Sequence, residues 1–327
     1  MTTTQTVKVH HKRILYIDIL KLFTIFLVLW GHSIMHFQPD YENSIIFQTI
    51  YAFHMPLFMM LSGYFATSSM TLGAWKFFAK KARQLLLPCL SWGLVCWFVI
   101  TSGLLDGKFH LDFKSLFTGW LGLIDNFWFL KSCFICYALT WLCWRFGRYK
   151  LLAIGLIWIL CTMQGRFNLG MMFPSFVTGL YLRKSANIDR WLLKHSYLPL
   201  GIFTVMLLVK VSTQYATPYP FKLVLGLTGA IGCFELFKLA FEKLSPTPRL
   251  QMLAKIGENT LGIYVLQAIL LEYVMPHYAS LEAYPMPSII LLMPVLSLLV
   301  LGICLLIIKP IEHFPRLSFI MFGRTSG

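Results

Sequence analysis

Acidic residues are scarce in this chain: there are 13 among 327 residues, against 28 Lys plus Arg, and the four charged types together make up only 13% of it. A soluble globular domain is about 25% charged. Half that charge, with a mean hydropathy of +0.69, excludes a surface meant for water alone and predicts a polytopic membrane protein. No Walker phosphate loop and no Gly-x-Gly-x-x-Gly fingerprint occurs, so nucleotide binding would have to use side chains rather than a Gly-rich cradle. A repeat of fixed period, a low-complexity stretch and a separate soluble domain are also lacking, which leaves a helix bundle and its loops to carry all the chemistry. No cleavable signal peptide is expected, because the first apolar run follows a basic segment and continues at spanning length through Lys21 and His32. The eight cysteines all fall in apolar segments, where Cys behaves as a small hydrophobe. Cys133 and Cys136 form one CxxC without the second ligand pair that zinc would need, so neither a disulfide framework nor a metal site is expected.

A bilayer core takes about 20 apolar residues of helix. That window finds ten spans, near 14–36, 45–66, 85–105, 127–145, 149–163, 168–182, 196–212, 221–241, 259–277 and 287–308. With the N-terminus inside, 21 of the 28 basic residues fall in inside segments, while the outside loops hold only Lys108, Lys114 and Arg166. The positive-inside rule then predicts both termini in the cytoplasm. The expected architecture is a single all-α membrane domain over 1–327, with a cytoplasmic N-terminal segment (1–13) and C-terminal tail (309–327). Basic residues spread over every inside turn suit topology and anionic lipid rather than nucleic acid.

Ionisable residues inside spans are costly and mark functional candidates. In the first span, Asp18, Lys21 and His32 are three and eleven residues apart, close to whole helical turns, so they share one face. Lys21 and His32 then lie about 16 Å apart along the helix. Asp18 and Lys21 also fit a local i, i+3 ion pair. His32 suits a general base, or a hydrogen bond between helices. The second span carries His54, Pro56, Ser62 and Gly63, a broken polar-lined helix that fits either a cavity wall or a packing kink. Trp75, Phe77 and Phe78 alternate with Lys76, Lys80, Lys81 and Arg83 before Pro88. That pattern reads as an interfacial helix with aromatics in lipid and cations facing the cytoplasm, and its cations also suit phosphate groups.

Several motifs together resemble one family. They are Lys21 with ten residues to His32, PheMetMetLeuSerGlyTyr at 58–64, LysLysAlaArg at 80–83 followed by Pro88, TrpPheLeu at 128–130, and IleGlyGluAsnThrLeuGlyIleTyrValLeuGln at 256–267. In order and spacing these are similar to acyltransferase family 3, the integral membrane O-acyltransferases, and PheHisMetProLeuPhe at 53–58 resembles its fucose 4-O-acetylase-like branch. The resemblance implies a bacterial inner-membrane enzyme that moves an acyl group, usually acetyl, from cytoplasmic acyl-CoA to a sugar hydroxyl of a surface glycan or lipid-linked saccharide. It assigns His32 as the catalytic histidine, Lys21 as its basic partner and Lys80 with Arg83 as the basic pair of the cytoplasmic loop. Two positions depart from it: Lys80 stands where many members have Arg, and Gln267 where many have His.

The combined expectation has acetyl-CoA, a donor substrate rather than a tightly bound cofactor, docking its phosphates on Lys80, Lys81 and Arg83. Its arm passes Lys21 to reach His32, which acts as base on the acceptor hydroxyl, or as an acyl-carrying nucleophile. Asp18 would orient Lys21, His54 and Ser62 are candidates for acceptor or oxyanion contacts, and Trp128 is a candidate for stacking on the sugar. A transporter or flippase of a lipid-linked saccharide would use the same polar stripe, although no inverted repeat is seen. A scaffold subunit would leave His32 without a role.

Overall fold

The structure is a computed structural model that describes residues 15–38, 40–102, 120, 122, 124–213, 217–245, 247–275 and 286–324, the last with backbone alone at 286–290. Asp106 and Asp112, between the third and fourth expected spans, lie outside the described residues. Helix and short turns make up the described chain, and no strand occurs among those residues.

Among the described residues, part of each expected span is helical, and six to seven segments are long and apolar enough to cross a membrane. The helices are α1 (Leu15–Phe37), α2 (Ile45–Tyr64), α3 (Ala74–Lys81) running through a π-helical turn into α4 (Leu87–Thr101), α5 (Trp128–Arg145), α6 (Lys150–Gln164) and α7 (Leu169–Lys184). After them come α8 (Ala186–Lys194), α9 (Tyr197–Thr213), α10 (Tyr219–Phe241), α11 (Pro248–Gly257), α12 (Thr260–Ile269) with a π-helical extension, α13 (Met286–His313) and α14 (Pro315–Phe322). Six of these segments are long and apolar enough to cross a membrane: α1, α2, α3 with α4, 125–145, α10 and the 291–313 part of α13. The α8–α9 pair, bent by 64°, passes the same criterion when taken together. α6 and α7 have 15 and 16 residues, about 22–24 Å of helix, shorter than the roughly 30 Å hydrocarbon core.

Local chemistry sets the ends of these helices. Ser44, Ser185 and Thr247 each accept a hydrogen bond from the backbone N–H three residues on, at 3.3–3.4 Å, which satisfies a donor the helix itself cannot. Pro248 follows its cap directly, where a missing N–H costs nothing. Gly323 ends α14 at φ +64°, a left-handed position suited to glycine.

Close backbone approach, rather than side-chain bulk, joins the two helices behind the site. A Cβ at Gly63 of α2 would overlap the Phe176 carbonyl of α7, and a Cβ at Gly179 of α7 would overlap the Met60 carbonyl of α2. This reciprocal small-residue contact is the packing that replaces hydrophobic drive between helices in lipid. Pro56 belongs to the same tight region, since a Cβ at Gly226 of α10 would lie 3.0 Å from its ring. The Gly257 that ends α11 makes a third such contact, against the Asp18 carbonyl of α1, which gives the IleGlyGluAsn motif a packing role. Around these contacts α1 is the most enclosed of the long apolar helices, with 67% of its apolar window buried.

The 74–83 segment differs from the interfacial helix expected of it. Trp75 is 85% exposed and Phe78 partly so, but Phe77 is wholly buried and stacks on Trp141 at 5.4 Å, and Lys81 is only 5% exposed. The reason is continuity: α3 does not lie apart on the surface but runs through the π turn Ala82–Leu86 into α4, and the extra residue of a π turn rotates the side chains around it.

Candidate functional site

His32 lies five residues before the end of α1, one helical turn before His36. Its Nδ1 stands 3.8 Å from Oε1 of Glu272, and both side chains are about four-fifths buried. That separation is longer than a hydrogen bond, and Nδ1 has no hydrogen-bond partner among the described residues. The carboxylate faces the imidazole from the π-helical turn Leu270–Val274 that continues α12, and π turns of this kind recur at functional sites. Tyr273, beside it, is held by a hydrogen bond from Asn126 at the start of the 125–145 helix. Sequence reasoning missed Glu272. A lone acid within the apolar run AlaIleLeuLeuGluTyrVal at 268–274 was the available signal, since an intramembrane carboxylate is as anomalous as an intramembrane His.

On α2, His54 is buried and its Nδ1 donates to the Ile50 carbonyl at 2.7 Å. With that nitrogen carrying the proton, Nε2 is left as an acceptor. Tyr51 packs beside the His54 ring at 4.8 Å, and a Cβ at Gly31, the residue before His32, would lie 2.7 Å from the Tyr51 ring. The helix faces bearing the two histidines are thus joined through Tyr51.

A cavity of about 180 Å³ is lined by Val28, Phe58, Ser62, Leu85, Cys133 and Tyr264, among others. Val28 is one helical turn before His32, and Tyr264 is eight residues before Glu272. Ser62 therefore lines the cavity as well as donating to the Phe58 carbonyl at 3.0 Å, and its own carbonyl accepts from Tyr137 at 2.9 Å. Lys81 rests over the Tyr137 ring at 3.6 Å and donates to Gln84 at 3.4 Å, which brings one buried cation to this side of the cavity.

The other basic residues expected at the site make contacts of their own. Lys80 is half-exposed, while Arg83 lies over Phe319 of α14 at 5.8 Å with Nε unpartnered among the described residues. Lys21 forms the local ion pair with Asp18 at 2.9 Å and sits over Phe65 at 4.5 Å. Trp128 starts α5 half-buried and packs against Phe129. Gln267 is fully buried, with its amide donating to the Tyr264 carbonyl at 3.2 Å and its oxygen unpartnered among the described residues. Chemically, the arrangement offers an imidazole with an adjacent carboxylate and, one helical turn away along α1, a largely apolar cavity.

A family model described as an acyltransferase domain matches residues 14–309. Among similar proteins, a relative from Mesorhizobium japonicum described as nodulation protein NolL is 31% identical over 159 residues, 46% of this chain and 39% of the relative. One of the same description from Sinorhizobium fredii is 33% identical over 153 residues, 44% of this chain and 38% of the relative. The matched part thus spans about two fifths of the length of these curated relatives. No solved structure matches.

Proposed function

The chain belongs to the acyltransferase family whose model covers residues 14–309, and from that premise we propose that it is a multi-pass membrane O-acyltransferase, with both termini cytoplasmic, transferring an acetyl group from acetyl-CoA to a hydroxyl of a glycan or lipid-linked saccharide. The observation that carries this reading is the pairing of His32 with Glu272, one helical turn along α1 from a largely apolar cavity whose wall includes Val28 and Tyr264. A carboxylate facing Nδ1 favours the proton on that nitrogen and leaves Nε2 free to take one from a hydroxyl, the role a third group plays toward a catalytic base elsewhere. The 3.8 Å gap closes in the working complex, as catalytic hydrogen bonds often do.

The steps balance simply. The acceptor hydroxyl gives its proton to His32 Nε2 as its oxygen attacks the thioester carbonyl. The carbon–sulfur bond breaks, and the CoA thiolate takes the proton back from the imidazolium. Glu272 holds the ring and stabilises its charge, as a positioning residue. The cavity takes the pantetheine arm, with Ser62 and Tyr264 on its wall. Lys81 serves the anionic end of the donor. Lys80 and Arg83 add to the field at the cytoplasmic face rather than forming one cradle with Lys81, and Lys21 with Asp18 serves the inner end of α1. His54 Nε2 and Trp128 remain the candidates for acceptor contact.

The test uses the purified chain in nanodiscs with radiolabelled acetyl-CoA and a lipid-linked saccharide extract. Label moving to the saccharide supports the reading. Saccharide binding or translocation without use of acetyl-CoA would replace it with transport. A second expectation concerns the donor alone: Lys81→Met raises KM for acetyl-CoA about tenfold or more, with a smaller change in kcat. A hydrogen bond to a charged group is worth about 1.5–3 kcal/mol, and tenfold is about 1.4 kcal/mol. An unchanged KM in the folded variant would remove Lys81 from the donor site.

A further inference from the structure

His32 and His36 are four residues apart on α1, so both project from one face of the helix. This i, i+4 pair of imidazoles is the arrangement by which a helix offers two ligands to zinc. One nitrogen from each, with a carboxylate oxygen of Glu272, lie within 4.8 Å of one another. His32 Nδ1 and His36 Nε2 are both buried at the atom and lack a hydrogen-bond partner among the described residues. Buried polar atoms are nearly always satisfied, so two orphan nitrogens beside one carboxylate point to a ligand that accepts lone pairs. No cysteine takes part, which is why the cysteine pattern of the chain did not suggest the site.

We propose that His32, His36 and Glu272 form a binding site for a divalent transition-metal ion of the zinc type, and that the bound ion blocks acyl transfer. Two imidazoles with one carboxylate are the protein ligands of His₂Glu zinc sites, which keep a fourth position open. Nitrogen donors select zinc, cobalt or nickel over magnesium and calcium, which prefer all-oxygen shells. The ion draws its ligands to about 2.0–2.2 Å, so the triad contracts on loading. Coordination through Nδ1 leaves the neutral His32 ring with its proton on Nε2, and a protonated Nε2 cannot take one from the acceptor hydroxyl. The ion also takes Glu272 away from its positioning role. The blocking role rests on the proposed O-acyltransferase reading, whereas ion binding does not.

The experiment uses tag-free full-length protein in nanodiscs, titrated with Zn²⁺ against a chromophoric chelator in the absence of any acyl donor. Co²⁺ serves as a spectroscopic probe, and thermal melts check the fold. His36→Ala is the informative variant, because His36 has no part in the proposed acyl transfer, and the half-exposed His195→Ala is the control. One ion per chain is expected, with visible Co²⁺ bands of a four- or five-coordinate site. His36→Ala and Glu272→Gln should each weaken binding by at least the 10–100-fold that loss of even an outer-shell partner costs, and His195→Ala should leave it unchanged. Equal binding by wild type and His36→Ala would overturn the site. In acyl transfer, zinc should inhibit wild type and spare His36→Ala, with a chelator restoring activity. Zinc binding that leaves transfer unchanged or raises it would overturn the block, and absence of transfer in any sample would fault the enzyme reading while leaving the binding result intact.

Discussion

His32→Ala is expected to lower acyl transfer by about 10²–10⁴-fold, the usual contribution of a positioned general base, while acetyl-CoA still binds and the protein melts as wild type. The loss belongs in kcat. Removing a group that acts only as the hydroxyl gives up its proton takes stabilisation from the transition state and not from the bound donor. Glu272→Gln supplies the complementary result. The amide keeps the shape but can present either a donor or an acceptor to Nδ1, so the tautomer that frees Nε2 is no longer enforced and kcat falls in the same direction. A double variant should lose little more than His32→Ala alone, because residues that act as a unit are strongly non-additive. Single-turnover transfer of radiolabelled acetyl, measured with donor binding on the same samples, checks all three. Full activity in His32→Ala would remove the base from the mechanism.

Gly179→Val is expected to prevent the bundle from assembling. A Cβ at this position overlaps the Met60 carbonyl, and the obstacle is backbone rather than a side chain that could swing away. α2 and α7 must then separate, which also lifts Gly63 from Phe176 and displaces α2 with His54 and the cavity-lining Ser62. Overpacking a well-packed site costs about 1–3 kcal/mol and occasionally more. Loss of a reciprocal backbone contact belongs at the top of that range. The measurement is the yield of monodisperse protein and its melting temperature in detergent, with Gly155→Val as control, since a Cβ there meets nothing within 4 Å. Equal stability of the two variants would refute the close α2–α7 contact.

Much of the helical layout was legible in the chain because lipid makes one demand of every span: a continuous apolar stretch whose backbone satisfies itself by helix formation. Hydropathy therefore located α1, α2, α5, α10 and α13 to within a few residues. His32 and His54 were legible for the same reason, as polar residues where lipid tolerates few. The π turns at 82–86 and 270–274 were not, since a one-residue insertion in a helix leaves no mark on hydropathy. Nor was the inward placement of Lys81 against Tyr137, just before the first of these turns, where the sequence pattern pointed to the surface. Asp18 and Lys21 were open to two readings, and the structure shows the local pair.

The sequence by itself determined the all-helical class, the approximate limits of the long apolar helices and the family, because composition, apolar run length and short ordered motifs are properties of the chain read in one dimension. Only the tertiary structure decided that Glu272, 240 positions from His32 in the numbering, faces its imidazole, that His36 joins them, and that a cavity adjoins the helix face below. Those facts depend on how α1, α2, α5 and α12 rotate against one another. Rotation is set by carbonyl-to-glycine contacts and π turns distributed over the whole bundle, so no single segment contains the information.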